Sequence, residues 1–430
     1  MYRQGRGRLG LVGTVLSIMA LAAAPAAHAI VTIGSISTPT PNSRPTATAV
    51  APNGTVWFTE EAGNRLGYID AASGFIHEYH WTTANVKPNA LAIDGSGRIW
   101  FTEANADRIG MYNPSINYLV EYGWGDTGLG LSGIEVTADG KVWFTMSNRS
   151  QIGVLDPSRL TLSYYYWTSQ SLGLQRIKKD AYGRLWFTEN NANRIGVLDP
   201  YWSYVYDYFW TDYTGPWGIT VDANQYVWFT ENQSGFISRL NPNTGLTNDW
   251  AAIGGSSSAP RDIAATRNPS GQTIVVWAES GGPGNIGVLN AATGTKMGVP
   301  LSPSSEATGV AIDAQQNVWF TETGLSQVSG FALASTSIAR RGGSLTRELA
   351  LGPAANSSAR FHIVRVQNGH GHGNGNGNGN DNGHGNGKDE DKGKFRDRQA
   401  KIEKKEAKHK DLRVTDVQEY QPEKKSKKYR

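Results

Sequence analysis

The sequence predicts an all-β fold, a seven-bladed β-propeller of four-stranded blades closed by an N-terminal strand. A phrase close to V/I/L-Trp-Phe-Thr recurs along the 430 residues. The tryptophans of its seven copies are Trp57, Trp100, Trp143, Trp186, Trp228, Trp277 and Trp319. Repeats of roughly 20 to 50 residues are typical of solenoids and propellers, and a unit of about 43 residues with four short strands has the length of one blade.

Each copy consists of strand-length segments separated by turn residues. A short run near a proline, such as RPTATAV, comes first, and a Gly/Asp/Asn turn, the Trp-Phe-Thr segment, a polar turn and an R-I-G-V-L-D segment follow. No segment between them has the helical apolar period of roughly 3.6 residues. Trp and Phe are neighbours and point to opposite faces of their strand, so both faces must be buried, as they are in a blade between two other blades.

The two ends of the repeat region predict how the ring closes. The seventh copy ends after QVSGFAL, and TIGSISTPTPNSRP near the N-terminus has the pattern of a last strand followed by a loop. We therefore predict that residues 32–37 supply the outer strand of blade seven.

The N-terminal residues have the pattern of a secretory signal. Residues 1–29 contain a basic start, an apolar run and Ala-His-Ala before Ile30, which is the order of a signal peptide with its cleavage site. The apolar run is too short to predict a spanning helix, so we expect a secreted or periplasmic protein without a transmembrane segment after cleavage. The chain has no cysteine, which excludes a disulfide framework and leaves stability to the packed core of the propeller, residues 30–335.

The composition changes twice after the propeller. Residues 336–368 form an extra segment whose structure the pattern does not determine, and residues 369–387 form a Gly/Asn/His-rich linker that we expect to be disordered. Residues 388–430 hold 16 Lys/Arg and 10 Asp/Glu, whereas residues 30–387 hold 22 basic and 27 acidic residues. We expect a charged disordered tail that either contacts anionic polymers or is solvated, and both alternatives stay open.

Two positions of the repeat carry charge. Three residues after the tryptophan stand Glu60, Glu103, Met146, Glu189, Glu231, Ser280 and Glu322, and eight residues after it stand Arg65, Arg108, Gln151, Arg194, Phe236, Asn285 and Gln327. The two positions flank a hairpin turn, so they face each other and can form an ion pair. Three copies keep both charges and two lose both, which favours a salt bridge at the rim, a contact that contributes roughly 0 to 1 kcal/mol.

Two glutamates lack the arginine partner. Glu231 and Glu322 stand at the end of a strand that opens toward the propeller axis, and blade seven adds Glu306 just before its innermost strand. Oxygen ligands of this kind are the ones that Mg²⁺ prefers. The sequence therefore predicts Glu306 and Glu322 as candidate ligands of a Mg²⁺ ion in the funnel.

The WFTE and RIG repeats, the x-Pro-x-x-Ile inner strands and the secretory N-terminus resemble the streptogramin B lyase (virginiamycin B lyase) family of seven-bladed propellers, over residues 31–332. The resemblance implies a Mg²⁺-assisted elimination that linearises a cyclic depsipeptide. It also implies a Glu-x-His and a WFxE glutamate in the last blade and a second histidine in the blade before. Glu306 and Glu322 match the two glutamates, whereas Thr308 and Arg261 stand at the histidine positions. The imidazole that would act as base is therefore missing.

A polar funnel is the predicted ligand site. The same inward position of the seven blades holds Thr46, Asn89, Ser132, Gln175, Trp217, Arg261 and Thr308, and Glu231 lies beside this ring of side chains. A second tryptophan recurs at Trp81, Trp124, Trp167, Trp210 and Trp250. These tryptophans predict an aromatic rim suited to sugars or cyclic peptides or, alternatively, packing between neighbouring loops.

Two functions from different classes follow from these patterns. The first is a monomeric ligand- or partner-binding module that takes a small molecule, a glycan or a peptide in the funnel. The second is a divergent Mg-dependent C–O lyase or a hydrolase that acts on a cyclic depsipeptide or a related ligand, with Glu231 or a metal-bound hydroxide as base. The fold alone decides neither, and the missing histidines favour the first.

Overall fold

The computed structural model describes residues 31–70, 74–80, 83–166, 171–209, 214–282, 284–333 and 360–364. Its strands are β1 (Val31–Ser37), β2 (Pro45–Val50), β3 (Val56–Glu60), β4 (Arg65–Ile69), β5 (Ile76–His80), β6 (Pro88–Ile93), β7 (Ile99–Glu103), β8 (Arg108–Asn113), β9 (Tyr118–Gly123), β10 (Leu131–Val136), β11 (Val142–Met146), β12 (Gln151–Asp156), β13 (Thr161–Tyr166), β14 (Leu174–Lys179), β15 (Leu185–Glu189), β16 (Arg194–Asp199), β17 (Tyr204–Phe209), β18 (Pro216–Val221), β19 (Val227–Glu231), β20 (Phe236–Leu240), β21 (Thr247–Ala251), β22 (Pro260–Arg267), β23 (Thr273–Glu279), β24 (Asn285–Asn290), β25 (Thr295–Pro300), β26 (Ala307–Ile312), β27 (Asn317–Glu322), β28 (Gln327–Ala332) and β29 (Arg360–Val364). Two short 3-10 turns, Gly255–Ser257 and Thr323–Leu325, are the helical elements of the described ranges.

Successive strands pair into seven antiparallel sheets, the blades. Blades one to six each take four consecutive strands, from β2 in blade one to β25 in blade six. Blade seven consists of β26, β27 and β28, with β1 as its outer strand. The register of β1 on β28 runs from Val31 opposite Ala332 to Ser37 opposite Gln327. The predicted seven-bladed propeller and its closure by an N-terminal strand are therefore confirmed.

Both faces of the second strand are buried, as the adjacent aromatic residues predict. Trp100 and Phe101 are both 0% exposed. In five blades the tryptophan also packs on an aromatic ring of its own outer strand, with ring centroids 5.2 to 6.2 Å apart. These pairs are Trp57–Tyr79, Trp100–Tyr122, Trp143–Tyr165, Trp186–Tyr208 and Trp228–Trp250. The aromatic residues of the repeat thus form the core within and between the blades.

The glycine of the R-I-G segment makes room for the phenylalanine. A Cβ atom on Gly67 would lie 2.2 Å from the ring of Phe58, and the same conflict arises at the equivalent glycines of blades two, three and four. Because a ring cannot move out of a packed core at low cost, phenylalanine and glycine form one packing unit.

Blade six is shifted by one residue relative to the predicted repeat. Trp277 lies opposite Gly287, the place that Phe58 takes opposite Gly67 in blade one. Val276 therefore stands at the tryptophan position of blade six, and Trp277 stands at the phenylalanine position.

The shift changes which residue holds the glutamate position of blade six. Glu279 lies opposite Asn285 at the end of β23, so the assignment of that position to Ser280 is wrong. Blade six has kept its glutamate and lost only the arginine. Among the blades, Met146 of blade three is thus the one departure from glutamate at this position.

In six of the seven blades the threonine of the repeat forms a hydrogen bond to the next blade. Every inner strand has an irregular register across its second and third residues, where ladder pairing is interrupted. In six blades the threonine hydroxyl accepts a hydrogen bond from the N–H of that third residue. It also donates to the carbonyl of the second residue in the next inner strand, at 2.6 to 3.3 Å. The donors are Thr59, Thr102, Thr145, Thr188, Thr230 and Thr321, whereas blade six has Ala278.

One strand lies outside the repeat. β29 pairs antiparallel with β17, the outer strand of blade four, with Val364 opposite Val205. It belongs to the extra segment 336–368, whose other residues lie outside the described ranges. The predicted signal peptide, linker and charged tail lie outside them as well. Within the described ranges, no helix is long and apolar enough to cross a membrane.

Candidate functional site

The predicted funnel residues occupy one equivalent position in all seven blades. Each is the second residue of an inner strand, inside the irregular stretch: Thr46, Asn89, Ser132, Gln175, Trp217, Arg261 and Thr308. Six of the seven side chains are partly exposed and Ser132 is buried. The structure therefore brings these residues together as one ring around the axis. Below the ring, the inner strands of all seven blades line a cavity of about 310 Å³.

Arg261 stacks on Trp217, its neighbour in the ring. The guanidinium carbon lies 4.3 Å from the centroid of the indole ring, which is within the range of a cation–π contact. The Nε atom of Arg261 donates to Oγ of Ser280 at 3.1 Å. Burial lowers the pKa of Arg261, the charge of Arg176 lowers it further, and Glu306 opposes the shift.

Arg176 follows Gln175 in the inner strand of blade four and lines the central cavity. Its Nη1 atom donates to the hydroxyl and the carbonyl oxygen of Ser132, at 3.3 and 3.4 Å, and the Ser132 hydroxyl donates to Oε1 of Gln175 at 3.0 Å. Burial lowers the pKa of Arg176, while Asp262 and Glu61 act in the opposite direction. The described residues thus place two guanidinium groups within electrostatic reach of each other. Sequence reasoning did not include Arg176, because its position is small or aliphatic in most copies.

Thr308 is tied into the junction between blades seven and one. Its hydroxyl lies 3.0 Å from the carbonyl oxygen of Thr46 and 3.1 and 2.6 Å from the hydroxyls of Thr321 and Thr323. The Thr308 hydroxyl is therefore engaged in hydrogen bonds that join blades seven and one. A threonine held in this way does not replace an imidazole as a base near neutral pH.

The two predicted metal ligands have different surroundings. Glu322 is 3% exposed, and its carboxylate accepts hydrogen bonds from Ser305 at 2.8 Å, from Gln327 at 3.0 Å and from Ser329. Glu306 is exposed, and its Oε2 atom lies 3.4 Å from Nη2 of Arg44.

These contacts do not fit a Mg²⁺ site. One carboxylate is buried and already accepts three hydrogen bonds, and the other faces a guanidinium group. Among the described residues, no cluster of three or more Asp, Glu or His side chains is arranged to hold a metal ion. The Mg²⁺ site at Glu306 and Glu322 therefore stays a prediction from the sequence, and these contacts weigh against it.

Glu231 is held in the same way as Glu322. It is 8% exposed and accepts hydrogen bonds from Ser234 at 2.5 Å and from Ser238 at 2.7 Å. Ser238 and its counterpart in blade seven, Ser329, each replace the glycine of the R-I-G segment. In blades five and seven, where the arginine is lost, a serine hydroxyl therefore takes over as donor to the glutamate.

The glutamates that keep their arginine are not at an exposed rim. Glu60 is 0% exposed, and Arg65, opposite to it in the register, lies 3.5 Å from Glu78 of the outer strand. Burial and the charge of Glu78 raise the pKa of Glu60 to about 9, although Arg65 opposes the shift. The prediction of an exposed salt bridge is therefore wrong, because two carboxyl groups and one arginine share a buried site.

Blades two and four repeat this arrangement. In blade two the buried Glu103 lies 3.0 Å from Arg108, which also lies 3.1 Å from Glu121. Burial and Glu121 raise the pKa of Glu103 to about 8. In blade four the three partners are Glu189, Arg194 and Asp207, and burial raises the pKa of Glu189 well above its ordinary value.

The tryptophans of the proposed rim do not form one exposed set. Trp124 is 8% exposed and packs on Phe144 of the next blade, with 5.4 Å between the ring centroids. Trp250 lies opposite Ile237, at the position that tyrosines take in the outer strands of blades one to four, and packs on Trp228. For these two residues packing is the better interpretation, and the other three lie outside the described ranges.

The sequence profile of the virginiamycin B lyase family matches residues 26–122 and 117–336. The chain belongs to this family. A streptogramin B lyase structure aligns with a TM-score of 0.64 at 25% identity, over 70% of this chain and 97% of that chain. Virginiamycin B lyase from Staphylococcus aureus gives the same TM-score at 24% identity, over 70% of this chain and 99% of that chain. The same values hold for its catalytically inactive histidine-to-alanine variant with quinupristin.

More distant structures share the propeller alone. The extracellular domain of a putative one-component system from B. thetaiotaomicron has a TM-score of 0.51 at 15% identity, over 73% of this chain and 42% of that chain. A search of the curated proteins gave no significant match.

Proposed function

We propose that this member of the virginiamycin B lyase family binds a ligand in its funnel outside the cell membrane and does not carry out the lyase reaction. The observation that carries the proposal is the pair Thr308 and Arg261, which stand where the family resemblance calls for histidines. The Thr308 hydroxyl is engaged within the ring, and Arg261 is stacked on Trp217. Arginine keeps its proton near neutral pH, so neither residue supplies a base.

The shape and polarity of the funnel support binding. Ligand sites are usually concave and combine apolar surface with a few convergent polar groups. Here an indole ring, two arginines, an amide and hydroxyls stand on the inner strands, directly before the residues that line one cavity, and Arg176 itself lines it. A small molecule, a glycan or a peptide fits such a surface, and the fold requires no second copy, so we propose a monomer.

A divergent lyase or hydrolase is the alternative, and the contacts of its candidate base weigh against it. Glu231 is buried and accepts two serine hydroxyls, so it has little access to a ligand in the funnel. Mg²⁺ binding by Glu306 and Glu322 stays a proposal against which their hydrogen bonds and the ion pair with Arg44 weigh, and contact of the basic tail with anionic polymers is a second proposal. A calorimetric titration with MgCl₂ tests the first, and binding to anionic polymers with and without residues 388–430 tests the second.

The proposal predicts no linear product from a streptogramin B such as quinupristin. The wild-type chain is incubated with the antibiotic and Mg²⁺, and liquid chromatography with tandem mass spectrometry separates the linear product from the cyclic substrate, because ring opening by elimination leaves the mass unchanged. We expect a rate at background. Base catalysis typically contributes about 10²- to 10⁴-fold, so Thr308→His with Arg261→His should change the rate upward if it changes it at all. If the wild type turned over the antibiotic and Glu322→Gln abolished this turnover, the proposal would be contradicted and the protein would be an enzyme.

A further inference from the structure

Two arginines at the funnel have no carboxylate in direct contact among the described residues, unlike the other cations near the ring. Arg44 is paired with Glu306 at 3.4 Å, and Lys87 is paired with Glu61 at 2.8 Å. Arg261 is held by an indole ring and a serine hydroxyl, and Arg176 by a serine. Each rim pair therefore has no net charge, whereas the two arginines at the centre of the funnel have acidic groups nearby but no carboxylate in direct contact.

The two guanidinium groups are positioned by their contacts. Stacking on Trp217 fixes the plane of Arg261, and its hydrogen bond to Ser280 uses Nε, so the two terminal nitrogens are not engaged in that bond. In Arg176 the bonds to Ser132 use Nη1. Arg261 can therefore present both terminal nitrogens and Arg176 its Nη2 atom, and guanidinium groups of this kind suit an anionic group with two oxygens.

Keeping two like charges near each other in a partly buried place costs free energy. Arg176 and Arg261 act on each other at a distance, and burial disfavours the charge of both. Asp262 and Glu61 offset the charge of Arg176 without forming a direct ion pair with it. A bound anion would remove this repulsion, because an opposite charge in a poorly solvated site interacts more strongly than in water.

We propose that the funnel binds its ligand through a carboxylate or phosphate group held between Arg261 and Arg176, with Ser132 and Gln175 as neutral partners. The inference rests on the proposed function and adds the chemical class of the ligand. Arg261, at the position where the family resemblance calls for a histidine, is then a binding residue.

Isothermal titration of the full-length chain with inorganic phosphate and, separately, with citrate tests the proposal. We expect the wild type to bind at least one of the two, and the preferred anion identifies phosphate or carboxylate chemistry. Arg261→Gln and Arg176→Gln should each weaken binding by about tenfold or more, since each removes a charge-assisted contact. Arg176→Lys should lose less anion affinity than Arg176→Gln, because lysine keeps the positive charge. This comparison separates the loss of charge from a disturbance of packing.

Arg149→Gln is the matched control, because this exposed arginine donates to Thr127 in a loop and is no funnel residue. It should bind like the wild type, and all variants share the basic tail, so any binding by the tail cancels. Absence of anion binding in the wild type, or unchanged binding in both glutamine variants, overturns the inference. Either result leaves the proposed function standing, because the proposed function fails only if the wild-type protein turns over a streptogramin.

Discussion

The glutamate that closes the second strand shows how one residue type is stabilised by three kinds of partner. In blades one, two and four a second acid and an arginine share the buried site. In blades five and seven serine hydroxyls donate to it. In blade six Glu279 accepts from Trp277, Asn285 and two backbone N–H groups. A buried carboxyl group is costly unless it is protonated, paired or hydrogen-bonded, so each loss of arginine is accompanied by new donors.

The buried acid pairs predict that stability falls as the pH rises. The pKa of Glu60 is raised from 4.5 to about 9 in the folded protein, so the folded state keeps a proton that the unfolded chain releases. Its stabilising contribution is fully present below pH 4.5 and is lost as the pH passes about 9. Glu60→Gln removes this titration, and the melting temperature should fall less between about pH 5 and pH 9 than in the wild type.

The neighbouring Glu61→Gln is the control, since it makes the same substitution at a partly exposed residue that is paired with Lys87. It should keep the wild-type slope. Thermal unfolding followed by circular dichroism at several pH values measures both variants. An unchanged slope in Glu60→Gln would show that the proton of this site is not linked to folding.

At the element scale, the threonine of the repeat explains why the inner strands hold together at an irregular stretch. The hydroxyl satisfies an N–H of its own blade and a carbonyl of the next blade, two groups that ladder pairing leaves open. The Thr230 hydroxyl accepts a hydrogen bond from the N–H of Gly218 at 2.8 Å and donates one to the carbonyl oxygen of Arg261 at 2.6 Å. The same bonds position the backbone of the funnel residues, so the element that closes the ring also places the site.

Thr230→Val should lower the free energy of unfolding by about 1 to 3 kcal/mol, because a buried N–H and a carbonyl lose their partner while the shape of the side chain is kept. Chemical denaturation with urea measures the change. Thr244→Val, at an exposed hydroxyl that accepts from Leu246, should stay within about 0.5 kcal/mol of the wild type. Equal effects of both substitutions would contradict the role of the hydroxyl.

For the whole molecule, closure between the first and last strands decides whether the repeats form one cooperative unit. β1 covers the edge of β28, and the Thr38 N–H donates to the carbonyl of Ser326 at 2.9 Å. On the inner side, Thr321 and Thr323 donate to the carbonyls of Thr46 and Pro45 at 2.9 and 2.6 Å. The ring is therefore joined at both its outer and its inner circumference.

Deletion of residues 31–37 should lower the melting temperature and broaden the transition, because the edge of β28 loses its partner strand. Differential scanning calorimetry measures both effects. Deletion of residues 369–430 is the comparison, since the composition of this region predicts little burial and the melting temperature should hardly change. A β1 deletion that melts like the wild type would show that the inner contacts alone close the ring.

Much of the architecture could be predicted from the sequence. The spacing of the tryptophans gives the number of blades, the Trp-Phe neighbours give burial on both faces, and the truncated seventh copy gives the closure. The funnel positions also follow from the repeat, since an equivalent place in each copy becomes an equivalent place around the axis. Blade six was misassigned because Trp277 is a large aromatic residue in either register, and the choice between them depends on pairing with Gly287.

The sequence by itself determined the periodic features of this protein, because strand pairing and the burial of equivalent residues recur in every copy of the repeat. The tertiary structure alone decided which side chains meet across strands that are not neighbours and across blades. Glu60 with Glu78, Arg176 with Ser132, and Arg261 on Trp217 interact although they lie 18 to 44 positions apart in the sequence. The partners, burial and charge of these side chains depend on how the blades pack. Packing therefore decides whether a carboxylate is free to bind a metal ion or already accepts hydrogen bonds.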